Sequence, residues 1–266
     1  RTGAFVGAFV LDQKFGLDRG FDIYDDEMEE SHGPTPGDPH GHKMRIGERV
    51  VDSALTWLAH QKNTRFFCWV HLFDPHTPYD TREELFGDRF HDRPYDAGIA
   101  YVDQQVGRLL EFLRRNDLDE NTLVVVVGDH GESLDEHQER THGFFLYDAT
   151  LHVPLIMRWP DPLMQAKRIS TPVTLVDIYP TLLSALAPAS LTECSGRSLL
   201  PACRGETLPV VPLYAESNHP FEECGAAPLR CLITDRWKYI RSPRQELYDM
   251  QADRGELQNQ IGELPA

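Results

Sequence analysis

The stretch TLVVVVGDHGES, residues 122 to 133, constrains the fold of this chain more than any other. Its four consecutive valines leave no polar face, which is typical of a strand buried on both sides inside a parallel sheet. The apolar run stops abruptly at Gly128, and an acid and a histidine, Asp129 and His130, follow at once. In open α/β sheets the ligand crevice lies beyond the carboxyl ends of the strands. These two polar residues are therefore candidates for a functional site.

Helical and strand-like patterns alternate before this strand. Apolar residues recur at helical spacing over residues 46–58 and again over residues 95–115. Between them lies RFFCWVHLF, residues 65–73, a short apolar run rich in aromatic residues that predicts another strand. Strand, helix and strand in this order indicate a crossover unit. The sequence therefore predicts an α/β fold in which a mostly parallel sheet lies between helices.

The last part of the chain changes character. HVPLIMRWP predicts one more strand, and PVTLVDIYPTLLSALA predicts a helix that Pro180 disturbs in its middle or starts anew. VVPLYAES, PLRCLITD and RWKYIRSP then read as short strands, and TDRWK suits a hairpin turn between the last two. We therefore predict an α/β core over residues 1–205 and a small antiparallel subdomain over residues 206–266.

Composition excludes some classes of partner. The 42 acidic residues outnumber the 26 basic ones, and the resulting formal charge of −16 would repel a phosphate backbone, so nucleic acid is not an expected partner. The sequence has no apolar run of about 18 residues, the length that a membrane-spanning helix requires. The five cysteines are odd in number and irregularly spaced, which favours ordinary buried thiols over a disulfide framework or a zinc site.

Four polar residues are candidates for chemistry. Asp129 and His130 together can hold a divalent cation, although the same pattern fits a turn whose aspartate caps a helix beginning at Glu132 or Ser133. His76 lies in the stiff loop DPHTPY after a predicted strand, where a histidine can bind an anion or give a proton to a leaving group. His142 follows in a polar loop. Taken singly, each histidine also fits an ordinary surface or core position, and His137 is interpreted as simply solvated.

Several motifs in order make the pattern more specific than any one residue. HLFDPHTPYD, GIAYVDQQVGRLLEFL, the long TLVVVVGDHGESLDEHQERTHGFF segment and the ending WKYIRSPRQELYDM resemble the core of the sulfatase family, within the alkaline phosphatase superfamily. The resemblance implies that Asp129 and His130 complete a divalent metal site for calcium, magnesium or manganese. It also implies that His76 contacts the transferred group or the leaving oxygen. His142 falls where many relatives have a lysine that touches the sulfate.

The chain departs from the family pattern at the nucleophile. Family members carry two metal-binding acids and a C-x-P-x-R or S-x-P-x-R segment near the N-terminus, whose Cys or Ser becomes formylglycine. Cys68 lies within a predicted strand, and CSGR, residues 194–197, does not fit the pattern, so we identify no nucleophile here. Because the sequence opens with RTGAFVG and no Met, we expect an N-terminally truncated fragment with little activity of its own. The resemblance favours a periplasmic or cell-envelope location.

The resemblance implies a metal-dependent sulfuric ester hydrolase that acts on a small-molecule or glycan sulfate ester. A phosphodiesterase, a phosphonate monoester hydrolase or a phosphoethanolamine transferase of the same superfamily would share the GDHGE motif, and a catalytically inactive binding homologue is a further alternative. Because their segments follow predicted strands, we expect Asp129, His130 and His76 to face one crevice at the carboxyl edge of the sheet, with His142 on its rim.

Overall fold

A computed structural model describes residues 1–28, 44–160, 166–187 and 193–262. The polar, Gly- and Pro-containing segment over residues 24–43, which the sequence predicts as a surface loop, lies largely outside these ranges. The chain divides into two compact units, Arg1–Thr122 and Leu123–Ala266, and each is described by itself. The predicted boundary between residues 205 and 206 is a different division, and it stays a prediction.

In the first unit strands and helices alternate along the chain. In the second unit most of the strands are antiparallel, and short helices lie between them. The first unit contains β1 (Thr2–Val6), β2 (Ile23–Asp25), α1 (Gly47–Ala59), β3 (Phe67–His71), α2 (Glu83–Phe86) and α3 (Pro94–Arg115). The second contains β4 (Val124–Val127), α4 (Asp148–Leu151), β5 (Leu155–Arg158), α5 (Ile178–Leu186), α6 (Leu200–Cys203), β6 (Leu213–Ser217), α7 (His219–Cys224), β7 (Leu229–Ile233), β8 (Trp237–Arg241) and β9 (Glu246–Asp249). No helix in the described ranges is long and apolar enough to cross a membrane.

A parallel sheet forms the centre of the first unit. Its order is β2-β1-β3, and β1 pairs in parallel with both neighbours. Phe5 of β1 is buried against Val50 and Ala54 of α1, because the apolar stripe of that helix faces the sheet. The helix packs closely, since a Cβ at Gly3 would lie 3.0 Å from the Trp57 ring. The predicted parallel sheet packed against helices is therefore confirmed for this unit. The crossover predicted from β3 through α3 to β4 is not confirmed, because β3 and β4 belong to different sheets in the described residues.

The direction of β4 differs from the prediction. In the described residues β4 pairs with β5, and the two strands run antiparallel, with Val127 opposite Leu155. The N–H of Gly128 donates to the carbonyl of Pro154 at 3.2 Å and extends the pairing past the end of the strand. The predicted burial on both faces is not seen either, since Val124, Val125 and Val126 are only partly buried and Val127 is 40% exposed. A run of valines also carries no information on the direction of the partner strand.

An antiparallel sheet of four strands, in the order β6-β7-β8-β9, ends the second unit as predicted. The turn between β7 and β8 is closed by the N–H of Thr234, which donates to the carbonyl of Trp237 at 2.8 Å. Cys231 and Ile240 on the inner face of this sheet pack against Leu146, so the sheet supports the segment that follows the GDHGE motif. Strand β9 was not predicted from the sequence.

Pro180 is the third residue of α5, which starts after a short 3-10 turn. The alternative in which Pro180 marks the start of a new helix is therefore confirmed.

All five cysteines are free thiols. Cys231 is buried as expected, whereas Cys194 and Cys224 are exposed.

A fully buried lysine joins three segments of the second unit. The Lys238 ammonium lies 2.9 Å from the Asp148 carboxylate and 2.8 Å from that of Glu256. The N–H of Asp148 also donates to Glu256 at 2.6 Å. Burial raises the pKa of the Glu256 carboxyl, and the Lys238 ammonium opposes that shift. Because a buried charge is tolerated only when it is paired, this triad holds β8, α4 and the C-terminal segment in register.

Replacing Lys238 by Met should destabilise the full-length protein by about 3–5 kcal/mol, because two acids would lose their shared cation in a buried position. Chemical denaturation monitored by the fluorescence of the tryptophans measures this change. Lys167→Met, which removes an exposed ammonium from the same unit, is the matched control. A loss below about 1 kcal/mol, the range of exposed ion pairs, would contradict the structural role of the triad.

Candidate active site

The loop that carries His76 is fixed at both ends by a buried aspartate. The Asp74 carboxylate accepts the N–H of Gly47, the first residue of α1, at 3.0 Å and a guanidinium N–H of Arg82 at 2.8 Å. The Arg82 guanidinium also lies 3.9 Å from the centre of the Tyr101 ring. Burial raises the pKa of Asp74, while the Gly47 N–H and Arg82 oppose that shift. The segment between Asp74 and Arg82 is thus closed by an ion pair.

The His76 ring has a defined orientation in this loop. Its Nδ1 lies 2.6 Å from the carbonyl oxygen of Thr77. A carbonyl only accepts, so we assign the proton of the neutral ring to Nδ1. The ring stacks on Phe73 with centroids 4.2 Å apart, and the residue is half-buried. With the proton of the neutral ring on Nδ1, proton transfer by His76 would take place at Nε2.

Close packing explains why the second glycine of the GDHGE motif, Gly131, has no side chain. A Cβ at Gly131 would lie 2.2 Å from the carbonyl oxygen of Ala149, and the Gly131 N–H donates to Thr150 at 2.7 Å. A Cβ at Gly128 would meet only ordinary contacts at 3.4 Å. Residues 132 and 133 do not begin a helix, so the alternative in which Asp129 caps one is wrong.

Asp129 and His130 present two metal-donor atoms on one turn. His130 Nδ1 lies 2.8 Å from the Gly131 carbonyl, which assigns the proton of the neutral ring to Nδ1 and leaves a lone pair on Nε2. That nitrogen lies 3.8 Å from a carboxylate oxygen of Asp129, whose side chain is 74% exposed. Metal–ligand distances are about 2.0–2.6 Å, so both atoms can bind one ion. Hydrogen bonding of the second ring nitrogen is also how metal-binding histidines are oriented.

Two donors are too few for a hard cation. Calcium and magnesium take about six or more ligands, mostly oxygen. The described residues contain no group of three or more His, Cys, Asp and Glu side chains that could hold a metal. The pair therefore fits part of a metal site, and further ligands are required to complete it.

His142 lies directly against this pair. Its ring stacks on that of His130 with centroids 4.0 Å apart, and its Nδ1 lies 3.0 Å from a carboxylate oxygen of Glu132. The Glu132 side chain is only 4% exposed, so it is a fixed acceptor for the ring. The structure thus brings together Asp129, His130 and His142, although their chemical roles stay predictions.

Sequence reasoning missed Glu132 and misread His137. The sequence presents Glu132 only as a possible first residue of a helix, and the signal that points to it is its place in the GDHGE motif. His137 is not simply solvated. Its ring stacks on Tyr147 at 3.6 Å, and its Nε2 lies 3.1 Å from the carbonyl of Gly255. These contacts hold the loop to the C-terminal segment, which is a structural role.

The crevice predicted to be shared by His76, Asp129, His130 and His142 involves both units of the chain. His76 belongs to Arg1–Thr122, whereas the other three site residues belong to Leu123–Ala266. Each group lies on a loop that follows a strand, β3 for His76 and β4 for the others. Their mutual placement therefore stays a prediction.

The chain belongs to the sulfatase family. The family model described as Sulfatase matches residues 9–188, which is more than half of the chain and includes both loops. A second model, described as the C-terminal part of N-sulphoglucosamine sulphohydrolase, matches residues 140–265 and includes the antiparallel sheet. The resemblance seen in the sequence is therefore confirmed.

Known relatives agree with this family. Arylsulfatase K of Gallus gallus is 33% identical over 181 residues, which cover 64% of this chain and 34% of that protein, so the chain spans about a third of its length. BT4656, solved with its substrate D-glucosamine-2-N,6-O-disulfate, is 20% identical with a TM-score of 0.70 over 99% of this chain and 75% of that one. The phosphonate monoester hydrolase of Agrobacterium radiobacter is 17% identical with a TM-score of 0.72 over 98% and 74%. These two structures establish the alkaline phosphatase-like fold.

We expect the Cys68 thiol to be unreactive, although a cysteine thiolate is in general a good nucleophile. Burial raises the pKa of its thiol to about 12, so at pH 8 almost none of it is thiolate, the reactive form. Iodoacetamide should alkylate the exposed Cys194 and Cys224 first, as mass spectrometry of peptides would show. The same protein in guanidinium chloride is the control, since unfolding should equalise the rates. Alkylation of folded Cys68 as fast as Cys194 would contradict its protected state.

Proposed function

We propose that the full-length protein containing this chain hydrolyses sulfuric esters with the help of a divalent cation. The observation that carries the proposal is the cluster of Asp129, His130 and His142 on one loop, in a chain that belongs to the sulfatase family. A carboxylate, an imidazole with its Nε2 lone pair and a second oriented imidazole suit an oxyanion ester and its cation. An isolated surface histidine would need no such partners.

In this proposal the cation is held in part by the Asp129 carboxylate and by Nε2 of His130, and residues preceding this chain complete its ligands. The bound cation would polarise the sulfate oxygens and stabilise the charge that develops on the transferred group. Calcium, magnesium and manganese all accept the carboxylate, whereas imidazole suits the transition metals better. Metal analysis of the purified protein distinguishes these ions.

The histidines of this chain orient the ester and move protons. Glu132 fixes His142 through Nδ1, so the opposite edge of that ring is the one presented to a sulfate oxygen. Thr77 fixes His76 in the same way, and the protonated Nε2 of His76 gives its proton to the leaving alcohol oxygen. The hydrate of a formylglycine supplied by a preceding segment would provide the nucleophilic hydroxyl, whose oxygen would bond to sulfur as the bond between sulfur and the alcohol oxygen breaks.

We propose a sulfated sugar as the substrate class. The match of residues 140–265 to the C-terminal part of N-sulphoglucosamine sulphohydrolase supports this assignment, as does the shared fold with BT4656, whose substrate is a sulfated glucosamine. Comparing turnover of a sulfated glucosamine with that of nitrophenyl sulfate tests it.

Hydrolysis of phosphonate esters is the second candidate, because the phosphonate monoester hydrolase shares this fold along 98% of the chain. Parallel assays with nitrophenyl sulfate and nitrophenyl phenylphosphonate separate the two activities. Turnover of neither ester by metal-loaded protein would favour the inactive binding homologue.

Replacing Asp129 by Ala should abolish both metal binding and turnover in the full-length protein, because it removes the charged ligand from the turn. Metal content after dialysis and turnover of nitrophenyl sulfate measure the two effects. Asp92→Ala, which removes an exposed carboxylate of the first unit, is the control. Full metal retention by the Asp129 variant would sink the assignment of this residue as a ligand.

Replacing His76 by Ala should lower turnover about a hundred- to ten-thousand-fold, the usual contribution of general acid catalysis, while metal content stays unchanged. The loss should shrink for nitrophenyl sulfate, since a good leaving group needs less protonation than an alkyl alcohol. His60→Ala, an exposed histidine at the end of α1, is the matched control. Equal losses with alkyl and nitrophenyl esters would assign His76 to anion binding, and no loss with either would assign it a structural role.

A further inference from the structure

The exposed face of the antiparallel sheet carries an unfavourable pair of like charges. Arg230 of β7 and Arg241 of β8 lie directly opposite each other in register, and both are exposed. Like charges in directly opposed positions destabilise a sheet. Glu216 of β6 lies opposite Arg230 on its other side, with 3.9 Å between the Arg230 Nε and a carboxylate oxygen. Within the described part of the chain, no carboxylate lies within ion-pair distance of Arg241.

These two arginines line a cleft. The cleft has a volume of about 350 Å³ and lies where β8 ends and β7 begins, with Ser242 and Pro243 on one wall. An adjoining cavity of about 260 Å³ shares that wall and extends to Arg244. The described residues provide no ion pair for Arg244 either. Three arginines therefore line two neighbouring cavities, and among the described residues only Arg230 contacts a carboxylate.

The concentration of positive charge is unusual for this protein. The chain carries 42 acidic and 26 basic residues, so an arginine on its surface has many acids available for pairing. Here Arg230, which lies near Glu216 on one side, faces Arg241 on the other. An anion bound between them would relieve the repulsion, because planar guanidinium groups match sulfate and carboxylate oxygens through paired hydrogen bonds.

The second cavity adds an apolar wall. Phe144, Tyr147 and Pro220 line it, and the two aromatic residues follow His142 within five positions of the chain. Glu246 also lines it, and its carboxylate accepts the hydroxyl of Tyr147 at 2.8 Å. An aromatic wall beside a cationic wall suits a ligand with both a ring face and anionic groups. A sulfated and carboxylated sugar has this combination, whereas inorganic sulfate or an aryl sulfate has only part of it.

We propose that the cleft between Arg230 and Arg241 binds a second anionic group of a sulfated glycan, a sulfate or carboxylate distinct from the ester that is cleaved. The identity of the ligand rests on the proposed function, whereas the cleft itself rests on the arginine pairing and the cavities. Arg241 is the central contact because it has no carboxylate partner among the described residues. Arg244 extends the site along the glycan.

The test compares Arg241→Gln with Arg254→Gln in the full-length protein. Arg254 is an exposed arginine of the same unit, so both variants lose one surface charge. Isothermal titration with a heparin tetrasaccharide, which carries several sulfates and carboxylates, should show about tenfold weaker binding for Arg241→Gln, the effect of one charge-assisted hydrogen-bonded contact. Arg254→Gln should change binding less than about twofold, the effect of diffuse charge screened by salt.

Two further measurements exclude a structural explanation. The melting temperature of ligand-free Arg241→Gln should equal or exceed that of the wild-type protein, because the substitution removes the repulsion from Arg230. Turnover of nitrophenyl sulfate should be unchanged. A lower melting temperature, equal weakening by both variants, unchanged tetrasaccharide binding or loss of aryl sulfate turnover would each overturn the proposal. If no sulfate ester is hydrolysed but Arg241→Gln alone weakens tetrasaccharide binding, the proposed function fails and the glycan site stands.

Discussion

The buried ammonium of Lys238 determines how the second unit is assembled. Its two carboxylate partners, Asp148 and Glu256, come from the start of α4 and from the C-terminal segment, while the lysine itself lies on β8. An unpaired charge at this depth would cost several kcal/mol, so the three segments cannot separate or slide past one another independently. α4 is the next α-helix after the GDHGE motif, residues 128–132. The sheet therefore fixes the position of this segment through a charge interaction as well as through the packing around Leu146.

The first unit uses the same kind of interaction on a different loop. Asp74 is buried and binds both the start of α1 and Arg82, and His76 lies between the two partners of this ion pair. Both loops therefore hold partly exposed histidines in fixed positions. Each histidine ring is also held through Nδ1, by Thr77 for His76 and by Glu132 for His142. Catalysis by proton transfer or anion binding depends on such fixed orientation, since a mobile side chain would lose entropy on each turnover.

Local sequence patterns predicted the features that local chemistry determines. The helical spacing before β3 and after it gave α1 and α3, and the apolar runs gave the strands that precede His76, Asp129 and His130. The chemical roles of these three residues stay predictions. The direction of β4 could not be predicted, since pairing with β5 depends on a strand some thirty residues away. Strand β9 is short and only partly apolar. Glu132 was missed because its importance comes from a contact with His142 across a folded loop, which no spacing rule encodes.

The contact between Gly131 and α4 limits how this region can be inherited or engineered. A side chain at position 131 would collide with the Ala149 carbonyl, and α4 cannot retreat because Lys238 holds its first residue. The GDHGE motif is thus inseparable from the antiparallel sheet of residues 213–249, which follows much later in the chain. Recombination between homologues, whether natural or in the laboratory, should preserve function only when loop and sheet come from the same parent. The exchangeable module is the pair, and a crossover placed between them would join surfaces that were never adapted to each other.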